Sequence, residues 1–168
     1  LMAVGTLKSN AFGLRAINPA LSIALGEGYE AATQSWKAGA PLNQANIIAI
    51  ETSCDETSVA IFNDKLEVLS SVVASQFKWH ERFGGVVPEV AARAHMELLN
   101  KSILQALQDA NMPVSQISAV AVHNGPGLAG ALLVGLSAAK MIALGLNVPL
   151  IAVNHVHSHI YACRMSAG

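Results

Sequence analysis

Charge is scarce in this chain. Asp, Glu, Lys and Arg supply 12% of its 168 residues, about half the fraction usual in soluble domains. So little charge beside 52% hydrophobic residues suits a sheet covered on both faces, or a lobe that hides surface against something else. The net charge of −1 excludes a stand-alone electrostatic grip on nucleic acid, so any such partner would need basic surface from elsewhere. With only two cysteines, Cys54 and Cys163, a disulfide framework is excluded and a reducing compartment indicated. A clean membrane span is missing as well. Residues 128–146 have the length for one, but Lys140, Ser137 and three glycines interrupt the run. A buried helix of an α/β domain is expected there, and no membrane partner.

Two catalytic signatures are also absent. The H-x-x-x-H of His155 and His159 lacks the general-base glutamate that zinc proteases place directly after the first histidine, because position 156 is Val. The glycine-rich run His123-Asn124-Gly125-Pro126-Gly127-Leu128-Ala129-Gly130 has no G-K-[ST] after it and is read as neither a P-loop nor a dinucleotide fingerprint. Its glycines serve either phosphate approach at a helix N-terminus or close helix–strand packing.

What is present centres on residues 150–161, where Val153-Asn154-His155-Val156-His157-Ser158-His159-Ile160 holds half of the six histidines. Helical residues four apart share a face, so His155 and His159 point together while His157 turns aside. Two imidazoles on one face suit a divalent metal; a solvated helix face is the other reading of the same cluster. The strand-like Pro149-Leu150-Ile151-Ala152-Val153 carries that helix start to the end of a sheet, where open α/β folds place ligands.

Residues 1–45 show no sustained period. Lys8 and Arg15 suit an organellar presequence, Glu27 and Glu30 count against one, and a remnant of an upstream segment fits equally. The expected location is cytoplasmic, with an organellar one left open. From Asn46 the pattern sharpens. The strand Ile47-Ile48-Ala49-Ile50, a polar hairpin over 51–58, the strand Val59-Ala60-Ile61-Phe62, a turn at Asn63-Asp64-Lys65 and a strand over 66–74 make a meander. Asp55 and Glu56 between two apolar runs suit work on phosphate and metal, against the plainer reading of an ordinary acidic turn. Residues 75–87 read as a loop with His80, Arg82, Phe83 and Gly84-Gly85. Pro88 opens a helix whose apolar stripe runs to Asn111-Met112-Pro113; His95 within it reads as a hydrogen-bonded core histidine, and the role of His80 stays open. A strand over 117–122, a helix to about Leu144 closed by Gly145, and the last strand and helix complete β-β-β-α-β-α-β-α. This is an α/β, ribonuclease H-like lobe of the actin and sugar-kinase fold, spanning 46–168, where two lobes are normal.

Four motifs stand in order between about residues 46 and 162: Ile50-Glu51-Thr52-Ser53-Cys54-Asp55-Glu56-Thr57; His80 with Gly84-Gly85-Val86-Val87-Pro88-Glu89 and Arg93-Ala94-His95; Gly125-Pro126-Gly127-Leu128; and Asn154-His155-x3-His159. Together they resemble the TsaD-like tRNA N6-adenosine threonylcarbamoyltransferase family, once labelled glycoprotein endopeptidases. The resemblance implies transfer of a threonylcarbamoyl group from threonylcarbamoyl-AMP to N6 of the adenosine 3′ of the anticodon in tRNAs that read ANN codons. It implies one divalent metal, iron or zinc, on His155 and His159, with Asp55 and Glu56 as catalytic carboxylates. Ser53, Gly125, Pro126 and Gly127 are implied at the nucleotide. Implied partners are tRNA and TsaB-like and TsaE-like companion proteins, in a homo- or heterodimer.

The family takes a third metal ligand, an Asp, and a glycine-rich nucleotide loop from a C-terminal lobe. Neither follows Gly168, and the first residue is Leu1, so a piece cut at both ends is expected, holding metal weakly and inactive by itself. Four positions depart from the family: Phe83 where Tyr is common, His123 where Thr is, Ser158 where Gly or Ala is, and Met141 where a small residue is. His123 lies beside the glycine loop. Two rivals remain: a lobe for O- or S-carbamoyl transfer to another substrate, and a non-catalytic scaffold companion, which would generally lack the histidine pair. A solvent-exposed apolar helix face is expected in every case, since such families act in complexes.

Overall fold

A computed structural model describes residues 45–65 and 67–166. The extension expected over 1–45 lies, but for Ala45, outside the described residues, as does Leu66. β1 (Asn46–Glu51), β2 (Glu56–Asn63) and β3 (Val68–Ser75) form the antiparallel meander. β1 also pairs in parallel with β4 (Ile117–Gly125), and β4 with β5 (Leu150–Asn154), giving the order β3-β2-β1-β4-β5. The central strand explains its own sequence. Ile47, Ile48, Ala49 and Ile50 are all buried: Ile48 and Ile50 join one apolar cluster and Ile47 and Ala49 another, so the strand is apolar on both faces and loses the usual alternation.

The helices are α1 (Phe77–His80), α2 (Pro88–Asp109), α3 (Ala129–Leu146) and α4 (His155–Ser166), with 3₁₀ turns at Glu81–Phe83 and Val114–Gln116. Apart from the short α1, this is the β-β-β-α-β-α-β-α order of the ribonuclease H-like lobe. Three boundaries differ from expectation. The loop expected over 75–87 contains α1 and the first 3₁₀ turn, and β4 runs past Val122 to carry His123. α3 ends at Asn147 rather than Gly145: Asn147 adopts the left-handed conformation, φ 54° and ψ 46°, which asparagine tolerates better than most residues.

Two steps of antiparallel pairing leave β3 parallel to β1, so β3 to β4 and β4 to β5 are both parallel crossovers moving the same way across the sheet. Right-handed crossovers travelling in one direction place their helices on one face. Accordingly Leu99 and Ala106 of α2 and Ala139 and Ala143 of α3 pack with Ile48, Ile50, Val59 and Ile61 in a single cluster. The opposite cluster, with Ile47, Ala49, Phe62, Ala119, Ala121, Ile151 and Val153, draws on strands alone among the described residues. The two-sided helical cover expected from the composition is therefore one-sided for α2 and α3.

α3 meets the sheet through Ala131, Gly135, Ala139 and Ala143, a stripe four residues apart. The contact is close: a Cβ on Gly135 would overlap Thr52 Oγ1, whose hydroxyl donates to the Ala131 carbonyl at 2.9 Å. The outer side leaves Leu133, Met141 and Leu144 at 63%, 69% and 46% exposure. The buried helix expected here is buried along one stripe, and the open apolar helix face also expected is present on its outer side. Among the described residues α3 is the one helix long and apolar enough to cross a membrane by length and composition.

Candidate functional site

Two cross-strand rows floor a cleft on the face opposite α2 and α3. Ala49, Ala60 and Ser71 lie side by side across β1, β2 and β3, and Glu51, Ser58 and Val73 form the next row. These residues, with Ser53, Cys54, Asp55, Glu56, His123, His155 and His159, line a cleft of about 330 Å³. Its polar groups gather at the carboxyl ends of the parallel strands: Glu51 ends β1, His123 lies near the end of β4, and His155 follows β5. That is where open α/β sheets bind ligands.

The Asn154 side chain accepts the His157 N–H at 3.1 Å, capping the start of α4, and His157 itself faces solvent. His155 and His159 share a face as the spacing predicts, with Nε2 atoms 2.9 Å apart and rings crossed at 89°. On its inner side, His155 Nδ1 lies 3.1 Å from Ser53 Oγ, 3.4 Å from His123 Nδ1 and 3.7 Å from Glu51 Oε1. Glu51 Oε1 accepts the Ser53 N–H at 2.6 Å and the His123 Nδ1–H at 3.1 Å.

Burial alone would raise the Glu51 carboxyl, but hydrogen bonds from His123 and Ser53 outweigh it and hold the group below the usual range. Burial, then the neighbouring His123, pushes His155 below the ordinary imidazole range against the pull of Glu51. A neutral imidazole is the form that binds metal.

Two donor sets therefore meet at His155. Glu51, His123 and His155 bring ligand atoms within 4.8 Å of one another, but this inner set is occupied by its own hydrogen bonds. The outer Nε2 pair faces the cleft, and metal–nitrogen bonds of about 2.0–2.1 Å meeting near a right angle span its separation. The outer pair fits a divalent metal as two ligands of a larger set.

Asp55 and Glu56 reach the same cleft from the β1–β2 hairpin. His95 on α2 holds that hairpin: its Nε2–H donates to the Cys54 carbonyl at 3.1 Å, and its Nδ1 accepts the Thr57 hydroxyl at 2.7 Å. The reading of His95 as a hydrogen-bonded core residue is met. Burial pushes its pKa down. Burial and the hydrogen bond to Asp55 push the Cys54 thiol up, which disfavours its thiolate form. The Arg82 guanidinium sits 4.7 Å from the centre of the Phe83 ring, over its face. His80, left open by the sequence, turns inward, near Gln76 Oε1 at 3.3 Å and accepting the Val87 N–H at 3.3 Å.

Gly125, Pro126 and Gly127 stand beside the hairpin rather than in the cleft lining. The Leu128 N–H donates to the Ser53 carbonyl at 2.8 Å, and a Cβ on Gly127 would lie 2.7 Å from that oxygen. Close packing accounts for glycine at position 127. The run does satisfy the letters of G-x-G-x-x-G through Gly130, between β4 and α3, but no Asp or Glu stands about 20 residues further on to take a ribose hydroxyl. The structure thus brings together Ser53, Asp55, Glu56, His155 and His159. It adds Glu51, which sequence reasoning passed over, and His123, noted only for its place beside the glycines. Glu51 carried a signal: a lone acid ending a fully apolar strand.

The sequence pattern of the family described as TsaD: tRNA N6-adenosine threonylcarbamoyltransferase matches residues 67–168. The protein of that name from Geotalea daltonii is 50% identical over 121 residues, 72% of this chain and 36% of its own length. The one from Ligilactobacillus salivarius is 57% identical over 118 residues, 70% of this chain and 34% of its own. The chain therefore spans about a third of the length of the curated relatives it matches. In fold, it is similar to a Pseudomonas aeruginosa crystal structure described as an uncharacterized protein with similarity to peptidase YEAZ, at TM-score 0.50 and 21% identity, covering 66% of this chain and 43% of that one. Through its match over residues 67–168, the chain belongs to the tRNA N6-adenosine threonylcarbamoyltransferase family.

Proposed function

We propose that this lobe serves transfer of a threonylcarbamoyl group from threonylcarbamoyl-AMP to N6 of the adenosine 3′ of the anticodon in ANN-reading tRNAs. The observation that carries the reading is that Asp55 and Glu56 from one hairpin and His155 and His159 from α4 line one cleft. The donor is a mixed carbamic–phosphoric anhydride, so AMP is already a good leaving group. The acceptor amine is poor, because its lone pair is delocalised into the adenine ring. Positioning and proton removal are then the main tasks. His155 and His159 would hold a metal, iron or zinc, which when bound would supply Lewis-acid polarisation of the donor.

Asp55 orients the N6 amine toward the carbamoyl carbon. As the new C–N bond forms, Glu56 accepts the amine proton, and the C–O bond to phosphate breaks with its electron pair leaving on AMP. The Gly125-Pro126-Gly127 turn, packed on Ser53, borders the nucleotide end. TsaB-like and TsaE-like companions supply the basic surface for tRNA that a chain of net charge −1 does not, and the open apolar side of α3 supports assembly with a partner. The work is cytoplasmic.

Because the chain spans about a third of its relatives' length, the test uses a chimera in which this lobe replaces the matching segment of the Ligilactobacillus salivarius protein. Asp55→Asn and Glu56→Gln should each lower transfer by about 10²–10⁴-fold with metal retained. Full transfer in both variants would overturn the assignment. Faster transfer from carbamoyl-AMP than from threonylcarbamoyl-AMP would move the lobe to another carbamoyltransferase.

A further inference from the structure

We infer that Ser53 is the positioning residue for His155: its hydroxyl accepts the Nδ1–H of His155 and so leaves Nε2 bare toward His159. This rests on the reading of His155 and His159 as a metal pair and adds to it a side chain that touches no ligand. It also gives another role to the hydroxyl that the family resemblance implies at the nucleotide.

The proton count around His155 Nδ1 leads there. A carboxylate only accepts, so His123 Nδ1 carries its hydrogen toward Glu51 Oε1 at 3.1 Å, and that nitrogen has no lone pair to offer His155. Glu51 Oε1 itself, 3.7 Å from His155 Nδ1, is beyond hydrogen-bond reach. Ser53 Oγ at 3.1 Å remains. A serine hydroxyl either donates or accepts; the nearby carboxylate decides, since its negative charge favours a hydrogen rather than a lone pair on Nδ1.

Ser53 is itself held firmly. Its N–H is bound by Glu51 at 2.6 Å and its carbonyl by the Leu128 N–H at 2.8 Å. Gly127 lies so close that a Cβ there would stand 2.9 Å from Ser53 Cβ, and the residue is 2% exposed. A hydroxyl carried on a residue held in this way, and lying against the far nitrogen of a ligand histidine, sets that ring's tautomer and orientation.

The test uses this chain, cobalt(II) and zinc(II) as probes, and long-range ¹H–¹⁵N spectra of the histidine side chains. In the unchanged metal-free chain, His155 should carry its hydrogen on Nδ1. Ser53→Ala and Ser53→Gly should mix the two tautomers and weaken metal binding by about 10- to 100-fold. A hydrogen on Nε2 of His155 in the unchanged chain overturns the inference, as does metal affinity that survives both variants. His159→Ala separates the underlying reading: if that variant keeps full metal affinity, the metal pair fails; if it loses the metal while the Ser53 variants do not, only the role of Ser53 fails.

Discussion

The Nε2 atoms of His155 and His159 meet at 2.9 Å across crossed rings. Without a cation, one ring must donate its hydrogen to the other; with one, both lone pairs turn to it. Metal should therefore bind the folded chain and raise its stability, by about 2.7 kcal/mol when free metal is 100 times Kd. Thermal unfolding with and without zinc(II) measures this. His155→Ala or His159→Ala should abolish the shift, and His157→Ala, whose side chain points to solvent, should not.

Gly127 faces the Ser53 backbone at a distance no Cβ accepts. Gly127→Ala should cost about 1–3 kcal/mol as the loop and hairpin are forced apart. Gly85, with nothing within 4 Å of its notional Cβ, should tolerate alanine within about 0.5 kcal/mol. Urea unfolding of the two variants compares them directly.

His95 is fully buried between Thr57 and Cys54, with burial pushing its pKa down. The unfolded chain takes up this proton near pH 6.5, so below that the unfolded state binds more protons than the folded one. The stability contributed by neutral His95 is full above about pH 6.5 and lost as pH falls through the lower folded pKa. His155, also shifted down, acts with the same sign. Urea midpoints should fall as the pH is lowered from 7 toward 5, and His95→Asn, less stable throughout, should show a flatter profile.

The fold was legible because its signals are local. The apolar run at 47–50, Pro88 at the first turn of α2 and the histidines four apart each announce one element, and the element order follows. Glu51 and His123 were harder. Each looks like an ordinary residue near a strand end, and only the parallel pairing of β1 with β4 brings them to 3.1 Å. Pairing partners 72 residues apart leave no periodic trace. The packing need at Gly127 was hidden for a related reason: it comes from Ser53, which the sequence does not mark as a neighbour.

The outer side of α3 makes a separate claim. Leu133→Gln and Met141→Gln change exposed positions and should shift stability by no more than about 0.5 kcal/mol. Ala139→Leu, on the packed stripe, should destabilise by about 1–3 kcal/mol through overpacking. Thermal unfolding of the three variants decides which side of the helix bears the sheet.

Diffraction at the zinc absorption edge, from crystals of this chain soaked in zinc(II), tests most directly that the α4 histidines and the acidic hairpin form one metal-holding cleft. The expected result is an anomalous peak about 2.0–2.1 Å from the Nε2 atoms of both His155 and His159, on the side of the cleft that holds Asp55 and Glu56. A peak seated instead among Glu51, His123 and the inner nitrogen of His155, or rings that diverge with the metal elsewhere, would contradict it.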